Sequence, residues 1–409
     1  MKKFLISAIT IMIFLASGCS QTQPKGTNTV TFASWGSQSE TTVIKGLIKE
    51  FEEKNPQIKI QFIHIPQNYF QKLHLLFASN LAPDVAFINN IYAPIYIKAG
   101  LLEDLTPFFK TQITGKTFFD TSINSFRYDD KLYAIPRDIS NLVIYYNKDI
   151  FKENNVHYPN ENWDLNDFLK TAKQVKNEDN FSINFEEKSL YWLYYLEANG
   201  GGILSDDSNS IILDSKKSIE SLQFYSDLAN KYKVAPTKSQ TASMTPAQMF
   251  INGKLAMYLG GRWMVPKFRE TVAFDWDVVN FPISEGNKVL IDSSGWAISK
   301  NSKNKEQAAK FIEFLSSKES IEKLTQSGLI IPARADIATS QTFLAPDKKP
   351  KNSKIFIKMI KNAKPTPTNE HYQQINDILD EELESVFNGE KNADEVITSR
   401  LIFKLKSLL

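Results

Sequence analysis

The stretch VTFASWGSQSETTVIKGLIKEFEEKNPQIKIQF, Val30 to Phe62, decides the fold. VTFAS, Val30 to Ser34, is a short strand pattern that stops at Trp35-Gly36-Ser37. From Glu40 to Lys54, Val43, Leu47 and Phe51 recur every four residues with Ile44 and Ile48 beside them, so the spacing predicts an amphipathic helix. Ser37 or Ser39 can cap its start, and Asn55-Pro56 ends it. Ile58, Ile60 and Phe62 then alternate with Lys59 and Gln61 as a second strand. Working outward, Tyr69 to Ser79 is helical again through Leu73, Leu76 and Phe77, and Pro83-Asp84 leads into a third strand at Val85 to Ile88. This alternation predicts an α/β fold built on a parallel sheet.

Such a sheet fixes where a ligand would sit, because open parallel sheets bind beyond the carboxyl ends of their strands. Trp35-Gly36-Ser37 follows the first strand and Asn89-Asn90-Ile91-Tyr92 follows the third, so both belong on one rim. An indole, amides and a hydroxyl together suit a neutral, polyhydroxylated ligand. Asp84, in its Pro-Asp turn, reads as structural.

The N-terminus points outside the cytoplasm. Lys2 and Lys3 precede an apolar run from Phe4 to Ala16, and LASGC, Leu15 to Cys19, follows. A run this short reads as a secretory leader and not as a spanning helix. LASGC resembles the bacterial lipobox, with Ala16 in place of the commoner leucine three positions before the cysteine. Residues 1–18 are therefore expected to be a signal peptide. Cys19, the only cysteine, is the expected lipidation site, and 19–28 is a polar tether. The anchor would hold the protein to a bacterial cell membrane, in a periplasm or at the cell surface. The formal charge is +2, and the leader accounts for two lysines, so the remainder is balanced and offers no nucleic acid a basic face. His64, His74, His157 and His371 show no metal-ligand spacing, so neither a metal nor any other cofactor is expected.

Further along, KLYAIP (Lys131–Pro136) and LVIYY (Leu142–Tyr146) read as strands around Arg137-Asp138-Ile139-Ser140. Asp164 caps a helix over Leu165 to Val175. YWLYYLEA, Tyr191 to Ala198, is an aromatic helix ending at Asn199 and Gly200 to Gly202, and another helix spans Ser218 to Tyr232. Strands are expected at Val278 to Phe281 and Gly295 to Ser299. Long amphipathic helices are expected over Ile375 to Phe387 and Ala393 to Leu405.

In this order the segments resemble the extracellular solute-binding proteins of ABC importers, the group containing maltose-binding protein. FASWG (Phe32–Gly36), FEEKNPQIKI (Phe51–Ile60), APDVAFIN (Ala82–Asn89) and KAGLLEDL (Lys98–Leu105) carry the resemblance. So do KLYAIP, LVIYYNKDIF (Leu142–Phe151), AQMFINGKLAMYLGGRW (Ala247–Trp263), SSGWAIS (Ser293–Ser299) and LIIPAR (Leu329–Arg334). The resemblance implies a two-lobed periplasmic-binding-protein fold of the hinged type II, with three crossing segments. These are expected near Asp138–Ser140, Asp277–Asn280 and Ser316–Ser320. The N-lobe would comprise 29–138 plus 279–316 and the C-lobe 139–278 plus 317–409. Ligand contacts carried over are Trp35, Ser37, Gln38, Asn89, Asn90, Tyr92 and Asp138 from the first part of the chain. From the second they are Trp192, Tyr195, Asn199, Gly261, Trp263, Trp296 and Arg334. His371 and Tyr372 match the family more loosely, and Ser140 replaces a charged hinge residue of maltose-binding protein.

The implied function is capture of a sugar or oligosaccharide by a monomer that is not an enzyme, and delivery to the permease subunits of an ABC importer. Two other readings stay open. A glycerol phosphodiester or peptide would call for Arg137, Arg262 and Arg334 converging on the cleft. A secreted glycosidase would need two facing carboxylates, for which Asp138 and Glu197 are the nominees.

Overall fold

The structure is a computed structural model and describes residues 28–409 except Thr111, Glu285 and Asn362. The leader, the lipobox and Cys19 lie outside the described residues. Strands β1 (Asn28–Ser34), β2 (Ile58–His64) and β3 (Val85–Asn89) form where the alternation places them, and β1 pairs in parallel with both others. Between β1 and β2 runs the helix Gln38–Lys54, capped by Ser37, whose hydroxyl accepts the Glu40 amide. It buries Ile44, Leu47, Ile48 and Phe51, and Phe51 meets Phe311 of the helix Lys305–Leu315 edge-on at 5.0 Å.

A short hairpin, β4 (Arg127–Tyr128) and β5 (Lys131–Leu132), leads into β6 (Ile135–Ser140). One residue later β7 (Leu142–Asn147) begins a second sheet, with β8 (Met257–Gly261) and β9 (Trp276–Asn280) antiparallel on either side. The chain then returns to the first sheet as β10 (Val289–Ile298), which lies antiparallel between β3 and β6, and later as β11 (Ile331–Pro332) on the far edge of β6. The last strand, β12 (Ala363–Pro365), runs beside the start of β10. The first sheet therefore has the order β2-β1-β3-β10-β6-β11 and carries the N-lobe, while β8-β7-β9 carries the C-lobe.

These pairings correct the expected boundaries. Asp277–Asn280 belongs to β9, inside the C-lobe sheet, and Ile283, Ser284 and Asn287 still bond Trp163 and Ala198 of the C-lobe, so the second crossing falls later, in the first residues of β10 before Asp292 meets β6. Ser316–Ser320 is a helix junction and not a crossing: the helix Lys318–Gln326 packs on the helix Gln38–Lys54, and β11 pairs with β6. Residues 317–338 thus belong to the N-lobe, and the third crossing lies near Ala345–Pro350, before Asn352 binds Asp277 of β9. The expected C-terminal helices are each broken in two, at Leu383 and at Ile397-Thr398, where the Thr398 hydroxyl caps a new helix, Ser399–Lys406.

The C-lobe core is aromatic. The helix Ser189–Ala198 (SLYWLYYLEA) has no continuous polar face and is enclosed from Trp192 to Ala198, while its first turn, with Leu190, reaches solvent. Tyr195 lies among Phe168, Phe224, Tyr225 and Phe281. Across the sheet Tyr145, Phe250, Phe268 and Trp276 form a second ring cluster.

Candidate functional site: the rim between the lobes

Strand registers alone bring one row of residues to the inter-lobe rim. Ala33 pairs with Ala86, which sets Trp35 level with Ile88. Asn89 then pairs with Ser294 of β10, and Ser294 with Asp138 of β6. Two residues beyond Ser140, Leu142 opens β7 and pairs with Gly261, the last residue of β8. Trp35 and Asp138 of the N-lobe and Gly261-Trp263 of the C-lobe therefore stand at strand ends that approach each other across the crossing.

Trp35 is 47% exposed and Trp263 is 36% exposed. The other four tryptophans, Trp163, Trp192, Trp276 and Trp296, are buried. Trp263 lies flat on the backbone of Gly261: a Cβ there would come within 2.0 Å of the indole, so only glycine permits the pose. Trp35 is followed by the exposed Ser37 and Gln38. His64 braces this turn, its Nε2 hydrogen-bonded to the Gly36 carbonyl at 2.9 Å and to Thr41 Oγ1 at 3.2 Å. On the next loop Asn89 accepts the Tyr92 amide, and the Tyr92 ring stacks on Phe70 at 3.9 Å. Trp35, Phe87, Phe70 and Tyr92 make a continuous aromatic path along the N-lobe rim.

Under the rim sits a buried ion triad. The β6–β10 register slips between Ser294 and Gly295, leaving Arg137 as the extra residue of a bulge. Gly295 allows this, because a Cβ would stand 2.4 Å from the Ile135 carbonyl oxygen. The bulge aims Arg137 at two acids: Nη1 donates to Glu40 at 2.5 Å and Nε to Asp138 at 2.6 Å. Its guanidinium also covers the Phe87 ring at 4.8 Å. Burial works against the Arg137 charge, but the two carboxylates outweigh it and hold its pKa above the ordinary value. Asp138 is pushed the other way from most paired acids: burial raises it, and Arg137 offsets only part. Asp138 is thus a buried anchor, 6% exposed, and its committed partner is Arg137.

Several sequence-expected contacts prove structural. Asn90 is buried and locks β3 to β10, accepting the Ser293 amide at 2.8 Å and donating to Asp292. Trp296 is 1% exposed because its strand is flanked on both sides, and its Nε1 has no partner among the described residues. Trp192 is enclosed, donating to the Glu187 carbonyl, and Tyr195 is core, packed among Phe168, Phe224, Tyr225 and Phe281. Asn199 caps that helix at the end away from the rim and binds Ser221. Arg334 follows β11 away from Asp138, pairs with Asp336 and covers Phe118. Of the arginines that a phosphodiester would need, Arg137 is committed to acids, Arg262 turns to the Gly328 carbonyl, and Arg334 lies elsewhere; they do not converge. Glu197 is paired with Lys364 and Asp138 with Arg137, so neither nominee is a free carboxylate. Asp84 is structural, as expected, receiving Thr31, Ser302 and Asn304 at the opposite end of β3. Among the described residues no group of acids, histidines and cysteines could hold a metal.

One rim group escaped the sequence reading. Phe181–Phe185 runs beside β8, with Asn184 bridging to the Leu259 amide and carbonyl, and so delivers Glu186 to the rim next to Gly260. Burial raises the Glu186 carboxyl, and burial, reinforced by the nearby Glu186 charge, pushes the Tyr191 hydroxyl up to about 12. The signal was available in the strand-like FSINF ahead of Glu186, which pairs only after the chain has folded back.

Two α/β lobes joined by crossings, with a partly exposed indole on the rim of each, define a two-lobed binding protein. The chain belongs to the bacterial extracellular solute-binding proteins, whose family model matches residues 46–352. It is 24% identical over 383 residues to the maltodextrin-binding protein MdxE of Bacillus subtilis (90% of this chain, 88% of that protein). It is 26% identical over 273 residues to a maltooligosaccharide ABC transporter solute-binding lipoprotein of Streptococcus pneumoniae (64% and 62%). Its fold matches an ABC substrate-binding protein of Listeria monocytogenes in complex with cycloalternan, with a TM-score of 0.83 and 25% identity over 93% of this chain and 97% of that one.

Proposed function

We propose that this protein is a receptor that takes a sugar or oligosaccharide between its lobes and presents it, closed, to the permease of an ABC importer. The observation that carries this reading is the pair of exposed indoles, Trp35 and Trp263, one on each lobe's rim. A sugar offers apolar C–H faces that flat rings cover, and a girdle of hydroxyls for Ser37, Gln38, Asn89, Tyr92 and Glu186. Closing the empty cleft would strand such polar groups at roughly 1–3 kcal/mol each. A ligand removes that penalty and shifts the equilibrium toward the closed form. Relatives bearing sugar-binding names support the ligand class. The lipobox at Leu15–Cys19 supports tethering by a lipid on Cys19 at the outer face of a bacterial membrane.

The test is calorimetric titration of the purified protein with a panel of malto-, isomalto- and galacto-oligosaccharides and their monosaccharides. Saturable binding by at least one, abolished in Trp263→Ala, is expected. No response across the panel would refute the sugar assignment.

A further inference from the structure

Beside the third crossing a cavity of about 660 Å³ opens where three segments meet. They are the helix Val265–Thr271 of the C-lobe, the end of the N-lobe helix Lys318–Gln326, and the crossing segment from Ala345 to Lys348. Its walls offer donors from Arg262, Arg269, Gln326, Gln341 and Thr342, while the Thr325 hydroxyl is spent on the Ile321 carbonyl.

The two arginines lack what a buried cation requires. Arg262 is 2% exposed, with Phe343 and Phe356 against its guanidinium. Its Nε donates to the Gly328 carbonyl at 3.1 Å, while Nη1 and Nη2 reach Ser353 and the Phe343 carbonyl only at 3.4 Å. Arg269 donates through Nε to the Lys349 carbonyl, and its buried Nη2 has no partner. Neither arginine makes an ion pair among the described residues, whereas Arg137, equally deep, has two acids, and Arg334 has one. Asp347 lines the mouth but is exposed and unpaired, with Lys348 beside it. Burial chiefly brings Arg262 down to about 10, and the neighbouring Arg269 charge acts in the same sense. A buried charge is normally paired, because leaving it alone is costly.

We propose that this cavity is a binding site for a small phosphate-class oxyanion held between Arg262 and Arg269. Two guanidiniums, two amides and the Thr342 hydroxyl approach from several directions, which suits a tetrahedral anion with acceptors on every side better than a planar carboxylate. None of the side chains proposed to meet the sugar lines this cavity, and its test uses no sugar, so either can fail alone.

Inorganic phosphate is titrated against the protein by calorimetry and thermal unfolding, with sodium chloride at matched ionic strength as control. Saturable binding and a rise in melting temperature are expected with phosphate and not with chloride. Arg269→Gln should weaken binding roughly tenfold or more, the loss of a charge-assisted hydrogen bond. Gln326→Glu, which places a carboxylate in the cavity, should remove the phosphate response while leaving the fold intact. Tighter binding of glycerol 3-phosphate than of inorganic phosphate would identify a phosphomonoester as the source, and the reverse the free ion; both uphold the site. A phosphate response no larger than that of chloride, or full binding in both variants, would overturn it.

Discussion

Replacing Arg137 with methionine should be among the most damaging single changes in the N-lobe. The side chains of Arg137, Glu40 and Asp138 are 4%, 8% and 8% exposed, so the triad is desolvated and its charges are unscreened. Breaking a buried pair by removing one partner typically costs about 3–5 kcal/mol, and here the removal strands two carboxylates. Methionine fills much of the volume, so the loss is electrostatic and not a cavity. Its pH dependence follows from the direction of the Asp138 shift. Asp138 is held above the ordinary carboxylate value, so folding disfavours its ionised form. Its stability contribution is complete below the unfolded value of about 3.9 and is lost as pH rises through the folded value. Without Arg137 the main opposition to that rise is gone and only the Ser294 hydrogen bond is left, so the deficit of Arg137→Met in urea unfolding should grow as the pH is raised above the ordinary carboxylate range. The triple variant Glu40→Gln, Arg137→Met, Asp138→Asn should recover most of the loss, since all three charges go together. A single variant within about 1 kcal/mol of the parent at neutral pH would show that the triad is not the buried anchor described.

Gly261→Ala drives a methyl into the Trp263 ring and should abolish sugar binding as Trp263→Ala does, while calorimetric unfolding changes little because the indole is partly exposed. Trp192→Ala should do the opposite, costing about 3–5 kcal/mol in urea unfolding without altering sugar affinity in the surviving folded protein. Gly295→Ala, with its Cβ 2.4 Å from a backbone oxygen, should lower the unfolding midpoint by about 1–3 kcal/mol equivalents through strain in the bulge. Glu50, Glu103 and Asp275 are each clamped by two lysines that hold their pKa values down. Their contribution is present above the unfolded carboxylate range and lost as pH falls through the lowered values, so thermal stability should decline on acidification below about pH 4.

The alternation from Val30 to Ile88 was legible because local periodicity and caps decide those elements, and the structure adds only a residue or two at their ends. The position of Trp35 and Trp263 at strand ends was legible for the same reason. What the sequence did not disclose depends on pairings between distant segments. β11 joins β6 across almost two hundred residues, so Leu329–Arg334 gave no sign that it belonged to the N-lobe. Trp192 and Tyr195 look like ring plates in YWLYYLEA, yet the helix is buried from Trp192 onward, so neither ring is open to a ligand. Trp296 follows two serines on a strand that only tertiary pairing makes central. Asp138 showed its neighbour Arg137 in sequence, but the bulge that turns both onto one face arises from the register slip at Gly295.

The account rests on two indoles closing over one guest. Acrylamide quenching reads this directly, because Trp35 and Trp263 are exposed and the other four tryptophans are buried. With a saturating oligosaccharide that calorimetry shows to bind, the accessible fraction of the fluorescence should fall toward that of Trp35→Phe, Trp263→Phe protein. Binding that leaves the quenching of the parent protein unchanged would mean the guest sits somewhere other than between these rims.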